Sequence, residues 1–275
     1  MFNVRRAFMA LFTSLFIIVV VLWGLVRYLE MKVIFYPSKD IVQTPAVLGL
    51  SFEDLYVITS DKERINAWFI KAGQGASTII FAHGNAGTMG DRLLKLKYLH
   101  ELGLNVLMFD YRGYGRSSGH PDEAGIYLDG QAAFDYIASR VDIDPKRIIM
   151  YGSSLGGVVA VDVASKRPCT ALIVDSSITS AKDVAKIYYP YLPAFLMRTK
   201  FDSIGKIKNI KIPKLIIHSP RDNIIPYFMG VRLFEAACEP KTFLRSTGSH
   251  NEIQVVTDRE TRLSFEGFLR TQQLL

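Results

Sequence analysis

The segment GSSLG at residues 152–156 constrains the fold of this chain more than any other feature. It follows the apolar run 147–151, which is short enough for a buried strand, and it precedes residues 157–161, which can begin a helix. A G-x-S-x-G sequence between a strand and a helix is typical of a sharp turn that holds the Ser at its apex, beside a helix N-terminus that favours negative charge. The segment therefore predicts a nucleophile elbow with Ser154 as the reactive residue.

Short apolar runs alternate with segments of helical periodicity from residue 77 to the end of the chain. This alternation predicts an α/β domain with a mostly parallel central sheet and helices on both of its faces, preceded by a hairpin at 52–59 and 65–71. In such sheets the functional site lies at the carboxyl ends of the strands. The predicted strands lie at 78–82, 105–109, 147–151, 171–174, 214–218 and 241–245, and the predicted helices include 92–101, 122–140, 228–238 and 253–270.

An uncharged stretch of twenty residues, 7–26, lies near the N-terminus. As a helix it reaches roughly 30 Å, the thickness of the hydrocarbon core of a bilayer. The alternatives are a cleaved signal peptide, for which residues 25–29 offer no small-residue cleavage site, and a buried core helix. The sequence favours a single-pass membrane protein, with residues 1–32 as an N-terminal anchor that takes no part in the chemistry and residues 33–275 as the α/β domain.

The charges of the chain bear on its topology and on nucleic-acid binding, and the two cysteines bear on metal binding. The charges that flank the stretch nearly balance, and the short N-terminal tail favours a domain on the non-cytoplasmic side of the membrane. The net charge of +7 is spread along the chain without a basic block, so nucleic acid is not expected as a partner. Cys169 and Cys238 lack the spacing of a zinc site, and whether they pair is left open. No metal and no cofactor are expected.

A catalytic serine needs a general base to remove its hydroxyl proton, and the base needs a carboxylate that orients it. Of the five histidines, His250 lies in a loop between the last predicted strand and the last predicted helix, from which it can reach Ser154. Two of the carboxylates between Ser154 and His250 directly follow predicted strands, Asp175 and Asp222. The chain order Ser, Asp, His favours Asp222, which follows the penultimate strand, and Asp175 stays as the alternative.

Two backbone N–H groups are candidates for an oxyanion hole. One belongs to Leu155, which follows the candidate nucleophile. The other comes from the loop HGNAG at 83–87, where two glycines allow the backbone to approach a substrate closely. We expect the N–H of Asn85 to be the second donor.

Taken together, these motifs resemble the α/β-hydrolase superfamily, and in particular its membrane-anchored, single-pass serine hydrolases that carry an HGNAG loop. The resemblance covers about residue 33 to the C-terminus. It implies a triad of Ser154, Asp222 and His250 and an esterase, a thioesterase or a peptidase-like acyl hydrolase. A non-catalytic, membrane-tethered interaction protein is the rival interpretation. The motifs that carry the resemblance are FYP at 35–37, HGNAG at 83–87, DYRGYG at 110–115, GSSLGG at 152–157, Asp222 with Pro226, and GSH at 248–250.

The connection between the strands that end near residue 174 and begin near residue 214 is unusually long. We expect a small cap over Ser154 at about 180–209, although a helix pair packed as ordinary core would leave the same pattern. An apolar cap beside a membrane favours a small-molecule or lipid-like acyl substrate. The candidate pocket residues in it are Tyr188, Tyr189, Tyr191, Phe195 and Met197.

Overall fold

An eight-stranded sheet forms the centre of the domain in a computed structural model, which describes residues 2–191 and 196–275. Its strands run in the order β10-β9-β8-β7-β4-β6-β3-β2, in which β2 and β3 are antiparallel to their neighbours and all other pairings are parallel. The bounds are β2 Glu53–Ile58, β3 Arg64–Ile70, β4 Thr78–Ala82, β6 Asn105–Phe109, β7 Ile148–Ser153, β8 Ala171–Asp175, β9 Lys214–His218 and β10 Lys241–Arg245; the two-residue strands β1 Tyr36–Pro37 and β5 Ala86–Gly87 pair separately.

Helices cover both faces of the sheet, and the six inner strands bury apolar residues against each face. One core cluster packs α3, α4, α6 and α7 against one face, and a second packs α2, α8 and α9 against the other. The α/β-hydrolase fold predicted from the sequence is therefore confirmed. The helices are α1 Phe2–Ile34, α2 Leu93–Glu101, α3 Glu123–Ser139, α4 Leu155–Ala164, α5 Ala181–Tyr188, α6 Ser203–Ile207, α7 Tyr227–Ala236, α8 Gln254–Thr257 and α9 Arg259–Thr271.

The C-terminal region differs from the single helix predicted over 253–270. It consists of two helices, α8 and α9, that are separated at Asp258. The Asp258 side chain accepts a hydrogen bond from the backbone N–H of Thr261 at 2.8 Å and so caps the start of α9. An N-cap residue has an extended backbone, and this interrupts the helical pattern.

Helix α1 is long and apolar enough over Val4–Ile34 to cross a membrane, and its most apolar window is not buried against the domain. A buried core helix, one of the three interpretations of the sequence, is therefore wrong. The helix also ends two residues beyond the predicted anchor boundary at residue 32. Its last turn is held by the domain: the Glu30 carboxylate accepts the N–H of Thr199 at 2.7 Å, and Asn85 Nδ2 donates to the Ile34 carbonyl at 3.1 Å.

The predicted cap consists of two parts. Helix α5 packs Ala181 and Ala185 inward, while Tyr188, three residues further on, is exposed. Further along, Phe201 and Ile207 are buried in the main core, while Met197 and Phe201 line the cavity at Ser154. Residue Phe195 lies outside the described residues, as do 192–194. The cysteines, whose pairing the sequence left open, are both free thiols.

Candidate active site

Ser154 lies between β7 and α4 with a strained backbone, φ +55° and ψ −120°. The two flanking glycines of the motif explain why the turn needs this sequence. A Cβ on Gly152 would lie 2.0 Å from the carbonyl oxygen of Gly156, and a Cβ on Gly156 would lie 1.9 Å from the carbonyl oxygen of Ala82. No side chain fits at either place, so the structure has the geometry of the predicted nucleophile elbow.

The structure brings the three side chains of the predicted triad together. His250 Nε2 lies 3.0 Å from Ser154 Oγ, and His250 Nδ1 lies 2.8 Å from Asp222 Oδ2. The carboxylate is fully buried and the imidazole is almost so. With its proton on Nδ1 donated to Asp222, the ring presents a free lone pair on Nε2 to the serine hydroxyl. This arrangement can remove the proton of Ser154 and hold the resulting imidazolium.

Asp222 is held in the ionised form that this role requires. Burial alone would raise its pKa, but hydrogen bonds from His250 and from the backbone N–H of Ile225 outweigh burial and lower the pKa below its ordinary value. Asp222 Oδ1 accepts the N–H of Ile224 at 2.9 Å and that of Ile225 at 2.7 Å. A second ring, His218, lies 3.5 Å from Oδ2. Burial lowers the pKa of His218, which keeps this neighbour neutral.

Asp175, the alternative acid, has a different set of partners. Its Oδ2 accepts from Lys95 Nζ at 2.9 Å and from the Tyr151 hydroxyl at 2.8 Å, and Lys95 also contacts that hydroxyl at 2.8 Å. Burial raises the pKa of Asp175, yet Lys95, Tyr151 and Ser176 together lower it below its ordinary value. This buried cluster borders the site and was missed by the sequence analysis. The sequence did indicate that Lys95 is buried, because it lies four residues before the apolar Leu99 and therefore on the same, inner face of α2.

The HGNAG loop lies against the nucleophile. A Cβ built on Gly84 would be 3.5 Å from Ser154 Cβ and 4.0 Å from Ser154 Oγ. The Asn85 N–H has no hydrogen-bond acceptor among the described residues, and the Leu155 N–H is the first of α4, where a helix provides no internal acceptor. Both predicted oxyanion donors therefore border Ser154 with their N–H groups available.

Two tyrosines of the DYRGYG motif hold the loop in place. The hydroxyl of Tyr111 donates to the carbonyl of His83 at 2.6 Å, and the hydroxyl of Tyr114 donates to the carbonyl of Asn85 at 2.7 Å. Both rings are fully buried. The motif thus serves the site indirectly, because it fixes the backbone that carries a candidate oxyanion donor.

A cavity of about 1020 Å³ opens onto Ser154 and His250. Its larger, apolar part is formed by α5, the segment after it and the end of α1. Its polar side carries charged residues of α2 and of the segment before it. The lining residues used below are Val26, Glu30, Val33, Ile34, Lys95, Ser154, Asp175, Tyr188, Tyr189, Met197 and His250.

The parallel sheet, the elbow and the strand-end positions of the three side chains define an α/β hydrolase. Residues 73–200 match a family model described as serine aminopeptidase, S33. The uncharacterized protein Rv2307c of Mycobacterium tuberculosis is 34% identical over 266 residues, which cover 94% of this chain and 95% of that protein. The alpha/beta hydrolase domain-containing protein WAV2 of Arabidopsis thaliana is 36% identical over 219 residues, which cover 73% of this chain and 71% of WAV2.

A solved structure shows the same fold. An esterase from Pyrococcus furiosus superposes with a TM-score of 0.71 at 20% identity, over 87% of this chain and 98% of the esterase. This likeness concerns the fold alone. The family is shown by the identity and coverage of the relative WAV2: the chain belongs to the α/β-hydrolase family.

Proposed function

We propose that this protein is a serine hydrolase that cleaves an ester or thioester of a small-molecule or lipid-like acyl compound. The observation that carries the proposal is the continuous hydrogen-bonded line from Ser154 Oγ through His250 to the buried carboxylate of Asp222, with distances of 3.0 Å and 2.8 Å. A solvated loop histidine has no need of a buried, hydrogen-bonded carboxylate behind it. This arrangement also argues against the non-catalytic alternative.

The reaction follows from the positions of these atoms. His250 Nε2 takes the proton of Ser154 while Oγ attacks the acyl carbonyl, and the N–H groups of Asn85 and Leu155 stabilise the oxyanion. His250 then gives the proton to the departing alcohol or thiol, and an acyl-enzyme remains on Oγ. Water, deprotonated by the same nitrogen, attacks the acyl carbon; the bond from the acyl carbon to Oγ then breaks, His250 returns the proton to Oγ, and the acid is released.

The cavity supports an acyl group over a peptide. Its larger part is apolar, with Tyr188, Tyr189 and Met197 near the site. Each methylene of an acyl chain that is buried there gains about 0.8 kcal/mol. Peptide hydrolysis is the second candidate, because the matching family model carries the description serine aminopeptidase.

We also propose that α1 is an uncleaved, single-pass membrane anchor with the hydrolase domain on the non-cytoplasmic side. Its unburied apolar surface and its length support the first part. The contacts of Glu30 and Ile34 with the domain also favour an uncleaved helix, since a cleaved segment would remove them.

Labelling with a fluorophosphonate tests the nucleophile. The wild type should be labelled, Ser154→Ala should not, and Ser153→Ala, the adjacent serine of the same turn, should still react. Equal labelling of the wild type and Ser154→Ala would refute the assignment. Absence of labelling in every protein would favour the non-catalytic interpretation.

Substrate class is tested by turnover of the full chain on matched compounds. A p-nitrophenyl acyl ester, the corresponding acyl thioester and an aminoacyl anilide should be compared by kcat/KM. The proposal expects the acyl ester or thioester to be preferred. Turnover of the aminoacyl anilide alone would establish the peptidase instead.

A further inference from the structure

The end of the anchor helix forms one wall of the catalytic cavity. Val26, Glu30, Val33 and Ile34 all line it, together with Ser154. These positions are separated by four, three and one residues, so they lie on one face of α1. This wall of the cavity is therefore one continuous face of α1, to which four side chains contribute.

This wall is attached to the site on two sides. On the cap side, Glu30 accepts the backbone N–H groups of Thr199 at 2.7 Å and of Arg198 at 3.4 Å. On the oxyanion side, Asn85 Nδ2 donates to the Ile34 carbonyl at 3.1 Å. The residue that carries a candidate oxyanion donor is thus bonded to the last residue of α1, so the helix end and the site form one structural unit.

The wall begins where the membrane-spanning stretch ends. Helix α1 has 33 residues, and the uncharged part, 7–26, alone reaches roughly 30 Å. The lining face from Val26 to Ile34 therefore starts at the edge of the hydrocarbon core. Tyr188 and Tyr189, which line the same cavity, are half-exposed at 50% and 47%, and tyrosines are typical of the membrane interface.

We propose that α1 is part of the acyl-binding site and that the substrate is an acyl compound resident in the bilayer, whose chain passes from the leaflet along this face of α1 to Ser154. The inference rests on the proposed acyl hydrolysis and adds the source of the substrate. It replaces the expectation that residues 1–32 only tether the domain. The ester or thioester carbonyl reaches Ser154 while the rest of the chain stays in contact with apolar surface.

A matched pair of substitutions in one helical turn tests this inference. Val33 and Met31 are each 40% exposed, but Met31 lies outside the cavity lining. The full chain in phosphatidylcholine vesicles is assayed with p-nitrophenyl palmitate in the bilayer and with p-nitrophenyl acetate in solution. The readout is the ratio of the two kcat/KM values. Because each methylene that loses its contact weakens binding about fourfold, Val33→Trp should lower the ratio by about tenfold or more, and Met31→Trp should preserve it.

The outcomes separate the two proposals. If the wild type hydrolyses the esters but Val33→Trp keeps the wild-type ratio, the inference is overturned and the hydrolase remains. A wild type that hydrolyses neither these esters nor the corresponding thioesters overturns the proposed function, and the inference with it.

A second measurement uses the unmodified chain and so does not depend on the folding of a variant. A long-chain fluorophosphonate with a diazirine at the end of its chain bonds through phosphorus to Ser154 Oγ and releases fluoride. Irradiation should then cross-link the chain to the peptide that contains residues 26–34. Cross-links confined to other peptides would overturn the inference.

Discussion

Replacement of Asp222 by Asn exchanges one carboxylate oxygen for an NH₂ group. It should move the ring proton of His250 from Nδ1 to Nε2. Asp222 Oδ1 accepts two backbone N–H groups, those of Ile224 and Ile225, at 2.9 and 2.7 Å. An Asn has one oxygen and one NH₂ group. Because two donors point at the Oδ1 position, the Asn oxygen must occupy it, and the NH₂ group must then face His250.

The consequence is a change of tautomer. In the wild type, His250 Nδ1 donates its proton to Asp222 Oδ2 at 2.8 Å. Facing an NH₂ group, Nδ1 must accept, so the ring proton moves to Nε2, which then cannot take the proton of Ser154. In the general triad the same exchange lowers kcat by about 10⁴, or about 5 kcal/mol of transition-state stabilisation. We expect a loss of that order for Asp222→Asn.

The assay is kcat on a short-chain ester, with circular dichroism to verify the fold. Asp135→Asn is the matched control, because Asp135 is an exposed carboxylate paired with Arg167 and should keep wild-type kcat. Retention of more than about a tenth of the activity by Asp222→Asn would refute the tautomer argument. A larger loss for Asp175→Asn than for Asp222→Asn would assign the orienting role to Asp175.

Three further changes follow from the contacts around the site. Tyr114→Phe removes the 2.7 Å bond to the Asn85 carbonyl and should lower kcat about tenfold with little change in KM, measured on a short-chain ester. Lys95→Met leaves Asp175 buried without its cation and should lower the free energy of unfolding by about 3 kcal/mol in thermal denaturation. Because the pKa of Asp175 is lowered in the folded state, its ionised form stabilises the fold above pH 3.8, so this difference should shrink as the pH falls through the lowered pKa. Gly156→Ala places a Cβ 1.9 Å from a backbone oxygen and should abolish both folding and fluorophosphonate labelling; a folded, labelled variant would contradict the elbow geometry.

The parts of the site that the sequence predicted share one physical reason. Parallel strands deliver their carboxyl ends to the same sheet edge, so residues that follow different strands meet in space although they are distant in the chain. Ser154, Asp222 and His250 each follow a strand of this sheet, after β7, β9 and β10. Their approach could therefore be predicted from strand positions alone. Their hydrogen bonds could not, since these depend on loop conformations that the pattern does not specify.

The parts that sequence analysis missed depend on packing between distant segments. Lys95 was not recognised because a lysine on a helix usually points to solvent, and only the tertiary structure brings its Nζ to Tyr151 of β7 and Asp175 of β8. The sequence could not separate the cavity-lining residues of the predicted cap from its core residues, for a related reason. An apolar connection has the same composition whether it covers a cavity or packs into the core, and here Met197 lines the cavity, Ile207 packs into the core and Phe201 does both.

The contacts of Glu30 with the domain could not be predicted from the sequence of α1. Residues 7–26 are apolar enough to span a membrane, so nothing in their composition requires contact with the domain. Glu30 is the only acidic residue in the first 34, and it lies in the last turns of α1, where the helix dipole disfavours a negative charge. Hydrogen bonds from the N–H groups of Thr199 and Arg198 offset that cost. The cost of placing Glu30 in the last turns of α1 is therefore met from outside the helix, by the segment that follows α5.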